Sequence, residues 1–194
     1  VSGRALVVEG RRIAGLVPPE RLPERLERVD VGGRYIAPGL VDIHTHGAVG
    51  HSFNEPSPEA FRAITEENAR HGTTSLLATI AAAPLPEMLA CLEACRAWCR
   101  EPHPGAEVLG VHLEGPYFSP AQRGAQDVAS LRTPDDGSAD ELLAYSHVIR
   151  MVSYAPELPG ALELTRTLAG LGIVPAAGHS AARDTDVYAA TEAG

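Results

Sequence analysis

The chain has 194 residues, a hydrophobic content of 44%, a charged content of 21% and a formal net charge of -9. That length supports one substantial core. The acidic balance speaks against a nucleic-acid partner or a polybasic membrane role, while leaving room for an anionic substrate held by a few local donors. No apolar run reaches membrane-spanning length and no signal-peptide pattern opens the chain, so a cytoplasmic protein is expected.

Residues 1–36 read as part of a small β domain, of sandwich type. Ala5–Val8, a turn at Glu9-Gly10-Arg11 and Ile13–Val17 suggest a hairpin. A polar stretch from Pro18 to Arg28 then leads to another short extended piece. From residue 37 to 194 strand and helix patterns alternate. Strands are expected at Ala37–His46, Thr73–Ile80, Val108–Glu114, His147–Tyr154 and Ile173–Gly178. Helices are expected at Pro58–His71, Pro86–Arg100, Leu158–Leu171 and Asp184–Ala193, with Gly72 and Gly172 suited to stop two of them. Such alternation implies right-handed βαβ units on a parallel sheet. About five units are present, whereas a (β/α)8 TIM-type barrel needs eight and roughly 250 residues. The chain is therefore read as the N-terminal half or so of a larger α/β protein. A five-stranded doubly wound domain is the alternative.

Cys91, Cys95 and Cys99 stack along one face of the second helix pattern, beside Leu92 and Trp98. Their spacing fits neither a zinc knuckle nor a CxxC redox motif, so they are read as small hydrophobes. All 16 basic residues are Arg. A Schiff-base Lys, a P-loop Lys or a carboxylated Lys bridging two metals cannot come from this chain.

Three strand ends carry the chemistry. His44 and His46 lie two apart, so a strand presents both on one face. Glu114 ends an otherwise apolar strand, where a carboxylate is costly unless paired or bound to a cation. His179 follows two alanines and Gly178, which leave space around it. Together they describe a divalent metal site at the C-terminal mouth of a barrel. His112, two residues deeper, is expected to support the ligands or to pack as a core histidine rather than bind metal. His51 is a weaker candidate for a substrate contact. His71, His103 and His147 read as helix-end, loop and strand-start residues.

Pro38-Gly39-Leu40-Val41-Asp42-Ile43-His44-Thr45-His46-Gly47 resembles the first-strand motif of the amidohydrolase superfamily. His112-Leu113-Glu114-Gly115-Pro116, Arg123-Gly124-Ala125 and Gly178-His179-Ser180 narrow the resemblance to the N-acetylglucosamine-6-phosphate deacetylases, and Ala155-Pro156-Glu157 has the same flavour. The resemblance implies hydrolysis of an N-acetyl amide on an amino-sugar phosphate, with zinc or iron as cofactor, one ion or two. It implies Glu114 and His179 as ligands of the main metal, with His44 and His46 at a second position. It places Ala125 and Gln126 against the sugar. Gln126 stands where the family carries His; it can donate and accept hydrogen bonds but cannot be protonated. A further metal-binding His, the general-base Asp and the phosphate-holding residues are expected beyond residue 194. The full-length protein is expected to be a homodimer, and the isolated 194-residue chain to be inactive. Another superfamily hydrolase, or an incomplete fragment needing its C-terminal half, is the alternative.

Overall fold

The computed structural model describes residues 3–10 and 12–194 and divides into two units, Val1–Pro38 and Gly39–Gly194. In the first unit, β1 (Ala5–Glu9) pairs antiparallel with β2 (Arg12–Val17), with a register shift between Val7 and Val8. Gly10 takes a φ of 61° at the turn, while Arg11, placed in that turn by the sequence, lies outside the described residues. The second extended piece expected after Arg28 does not become a strand. Among the described residues the one regular element between Val17 and Leu40 is a 3-10 turn at Pro19–Arg21.

The second unit holds a five-stranded parallel sheet. Its strands are β3 (Leu40–Thr45), β6 (Thr73–Ala81), β7 (Glu107–Glu114), β8 (Ile149–Tyr154) and β9 (Val174–Ala177). They neighbour one another in chain order, β3-β6-β7-β8-β9, and every pair is parallel. A doubly wound domain would reverse its order at a switch point. Here there is none, and the sheet is the first part of a singly wound (β/α)8-type barrel. A short hairpin, β4 (Gly47–Ala48) and β5 (His51–Ser52), follows the first strand. The sequence patterns did not anticipate it, because two-residue strands carry no periodicity.

Each sheet strand is followed by a helix: α1 (Pro58–Arg70), α2 (Leu85–Trp98), α3 (Ser138–Leu143), α4 (Ala161–Gly170) and α5 (Asp184–Ala193). Local chemistry sets several of their ends. Ser57 caps α1 by accepting from the Ala60 N–H at 3.2 Å, with Pro58 behind it at the first helical position. His71 closes that helix and Gly72 turns away at φ 93°. The core fills the space between sheet and helices with Phe53, Phe61, Ile64, Leu76, Ile80, Met88, Leu92, Val111 and Leu113, all essentially buried. Cys91 and Cys95 join it as small apolar groups, whereas Cys99 at the end of α2 is exposed. Among the described residues no helix is long and apolar enough to cross a membrane.

Candidate metal centre

Glu114 is the last residue of β7, the middle strand of the sheet, and only 6% of it is exposed. Strand alternation puts it on one face with His112, while the neighbouring Val111 and Leu113 pack into the core. His44 and His46 arrive from β3, two strands away on one side, and His179 from the end of β9, two strands away on the other. All three rings converge on one carboxylate. His44 Nε2 lies 3.6 Å from Glu114 Oε1, His46 Nε2 3.2 Å from Oε2, and His179 Nε2 3.2 Å from Oε1. In a flat sheet β3 and β9 would stand about 19 Å apart, four strand spacings. Both edges reach the same oxygen because the sheet curls around its middle strand.

The backbone at each edge is shaped for this. In β3 the Asp42 carboxylate accepts from the His44 N–H at 3.0 Å, and pairing with β6 slips between Asp42 and Thr45. Asp42 thus holds the bulge that aims the two histidines, rather than projecting deeper into the barrel. Thr79 Oγ1 pins the strand end by accepting from the Thr45 N–H at 3.0 Å. At the other edge His179 has a φ of 50°, a left-handed conformation strained for a side-chain-bearing residue. The Glu157 carboxylate accepts from Ser180 Oγ and from the Ala181 N–H, both at 2.6 Å, and fixes the turn. Gly124 also turns in the left-handed region, and a Cβ there would stand 3.2 Å from the His179 ring. That gives the Arg123-Gly124-Ala125 stretch a steric reason for its glycine.

Electrostatics follow from the clustering. The hydrogen bond to His46 holds the Glu114 carboxyl down at about 2; His179 and His44 act in the same direction, while burial opposes them. The same bond raises His46 above the usual imidazole value against its partial desolvation. Burial pushes His112 down, and the charge of His44 adds to that.

Acceptor-only partners assign two protons. His112 Nδ1 donates to the Ile43 carbonyl at 3.1 Å, so its Nε2 accepts from Ser153 Oγ at 2.7 Å. A neutral His112 therefore ties β3, β7 and β8 together, with its ring edge-on to His44 at 5.0 Å. His179 Nδ1 donates to the Gln122 carbonyl at 3.0 Å, which turns Nε2 toward Glu114 Oε1 at 3.2 Å. A lone pair facing a carboxylate oxygen requires a proton or a cation between them. The donor set suits a divalent ion: His44, His46 and Glu114 each offer a ligand atom, all within 4.8 Å of one another.

Ala125 is exposed beside this cluster in sequence, and Gln126 is part of it. Gln126 Nε2 donates to Glu114 Oε2 at 2.8 Å, and its Oε1 accepts from the Ala82 N–H at 3.1 Å. The family resemblance implied Gln126 beside the sugar, not on the Glu114 carboxylate. Gln122, Ser153 and Thr79 were also missed. Each acts through a backbone carbonyl or a hydroxyl, whose partner depends on tertiary placement. His51 pairs with Glu55 at 3.1 Å, and His103 stacks on Trp98 with ring centroids 3.6 Å apart.

The model of the amidohydrolase family matches residues 35–190. Among curated proteins, the chain is 37% identical over 160 residues to N-acetylgalactosamine-6-phosphate deacetylase of Escherichia coli O157:H7, covering 82% of this chain and 42% of that protein. It is 36% identical over 195 residues to N-acetylglucosamine-6-phosphate deacetylase of Bos taurus, covering 94% and 47%. Among solved structures, N-acetylglucosamine-6-phosphate deacetylase from Pasteurella multocida superposes with a TM-score of 0.93 at 29% identity, over 100% of this chain and 51% of that one. The chain thus spans about half the length of the relatives it matches. The matched stretch contains all three strand ends that meet at Glu114. By that match, and by a parallel sheet that brings the ends of its two edge strands onto one carboxylate, this chain belongs to the amidohydrolase family.

Proposed function

We propose that the chain is the N-terminal part of a metal-dependent deacetylase acting on N-acetylglucosamine 6-phosphate, releasing glucosamine 6-phosphate and acetate in the cytoplasm. In this reading residues 1–36 contribute to a small β-sandwich and residues 37–194 supply the first five βα units of the barrel. One observation carries it: a buried carboxylate, Glu114, ringed by His44, His46 and His179, in a chain whose named relatives are deacetylases of N-acetyl amino-sugar phosphates.

Glu114 and His179 hold the main ion, and His44 and His46 a second position; zinc or iron suits these donors. A divalent ion there would supply an acidified water and polarisation of the acetamide carbonyl. This chain's own residues do the rest of the local work. Gln122 keeps the proton of His179 on Nδ1, His112 keeps β3 and β8 registered on β7, and Glu157 holds the strained turn. Ala125 and Gln126 border the sugar, with one Gln126 N–H left after the bond to Glu114. The general-base Asp, a further His and the phosphate-holding residues belong to the part beyond residue 194. The complete protein works as a homodimer, and the 194-residue chain alone does not turn over.

A second reading concerns the sugar. The E. coli relative is named for the galactosamine isomer, and Gln126 stands in place of the family's His. The test is acetate release by the complete protein, loaded with zinc or iron(II), from both 6-phosphorylated N-acetyl hexosamines and from unphosphorylated N-acetylglucosamine. Turnover of a phosphorylated substrate is expected, with the preferred isomer deciding between readings. A metal-loaded protein inert toward both phosphates would refute the proposal.

A further inference from the structure

We propose that Gln126 is a positioning residue for Glu114, setting the plane in which this carboxylate meets the histidines; the inference rests on the metal-site reading above. The Ala82 N–H can only donate, so the oxygen of the Gln126 carboxamide must face it and the nitrogen must face Glu114. Backbone N–H and carboxylate thus demand the same orientation of the amide. At 2.8 Å its bond to Glu114 is the shortest polar contact the carboxylate makes, against 3.2, 3.2 and 3.6 Å to the three imidazoles. It is also a neutral donor on an ionised acceptor, the stronger class of hydrogen bond.

The terminal torsion of a Glu side chain is broad and nearly two-fold. Left alone, the Glu114 carboxylate could rotate between presentations. The histidines do not agree on one oxygen: His44 and His179 face Oε1, and His46 faces Oε2. Gln126 donates to Oε2 beside His46 and leaves Oε1 to the pair of histidines from opposite edges of the sheet. Its anchor, Ala82, directly follows β6, and Gln126 itself lies in the segment after β7. The bridge thus ties two adjacent strand ends to the orientation of one ligand. Groups that orient a metal ligand through a hydrogen bond typically matter ten- to a hundredfold in metal affinity.

The test uses Gln126→Met, which keeps length and volume and removes both hydrogen bonds. Ala82 is half-buried, so water can replace the lost acceptor. Zinc affinity, measured by competition with a chromophoric chelator at a temperature well below the melting transition of the chelator-treated variant, is expected to fall about ten- to a hundredfold. Wild-type affinity in Gln126→Met overturns the proposal. A second measurement is independent of metal and of that variant's folding. In the metal-free wild type, one Gln126 carboxamide proton should resonate downfield, and Glu114→Gln should shift it; an unmoved signal overturns the proposal. If the wild type binds no divalent ion, the metal-site reading fails, and the carboxamide signal alone decides whether Gln126 orients Glu114.

Discussion

Replacing Glu114 by Gln in the chelator-treated protein should destabilise the fold most in a mildly acidic window. Glu114 is held down to about 2 from its ordinary 4.5, so its contribution is present above pH 4.5 and disappears as pH falls toward 2. His46 is raised above its ordinary 6.5, so its contribution is complete below pH 6.5 and disappears as pH rises through the raised value. Both are present between 4.5 and 6.5. A carboxyl held at about 2 rather than 4.5 is worth roughly 3 kcal/mol above both values. Gln keeps about 1 kcal/mol through a remaining hydrogen bond, and His46, nearly half exposed, adds only a screened share. The net loss is roughly 2 kcal/mol. With a urea dependence of about 2 kcal/mol per molar, the unfolding midpoint should drop by about 1 M. Urea titrations of both proteins at pH 5.5, 7 and 8.5 with excess chelator make the measurement. The gap should be widest at 5.5 and narrow as His46 loses its proton. A gap that widens with pH, or none at 5.5, would refute this account of the cluster.

Three further outcomes are expected. Adding zinc to the chelator-treated protein should stabilise it by about 2.7 kcal/mol at a hundred times Kd, raising its melting temperature with concentration; His179→Ala should blunt the rise, and an equal rise in that variant would remove His179 from the site. Gly110→Ala should cost several kcal/mol in urea unfolding, on the order of a large core truncation, because Gly110 has a φ of 146° and a Cβ there would meet the Val148 carbonyl oxygen at 2.4 Å; a change below about 1 kcal/mol would mean the strand moves freely. Iodoacetamide should modify Cys99 first, since it is exposed and the hydrogen bond from Cys95 lowers its thiol, whereas burial pushes Cys91 up to about 11. Mass mapping that finds the native protein alkylated at Cys91 as fast as at Cys99 would contradict that order.

The strand ends were legible because their signal is local: two-residue periodicity places His44 with His46 and Glu114 with His112, and a buried carboxylate stands out on an apolar strand. α5 was read at its observed bounds, Asp184–Ala193. The short helix α3, at Ser138–Leu143, escaped because six residues give too little helical period to read. The bulge at Asp42 escaped for a different reason. It depends on a side chain bonding to a backbone N–H two residues on, which competes with strand pairing and leaves no mark in hydropathy. Gln126 was noticed only as a departure from a motif. Its partner, the Ala82 N–H, is 44 residues away and carries no side-chain signature.

The curl of the sheet makes Glu114 behave like the knot of a bowstring. Two outer strands are drawn toward the middle one through their terminal side chains, and the backbone between them bears the bend. Ligation at that knot should therefore be felt least where it happens and most at the rims. On this view, amide hydrogens of β3 and β9 should exchange more slowly when the centre is loaded, while those of β7, already locked between neighbours, hardly change. The site doubles as a tension gauge for the curvature that built it.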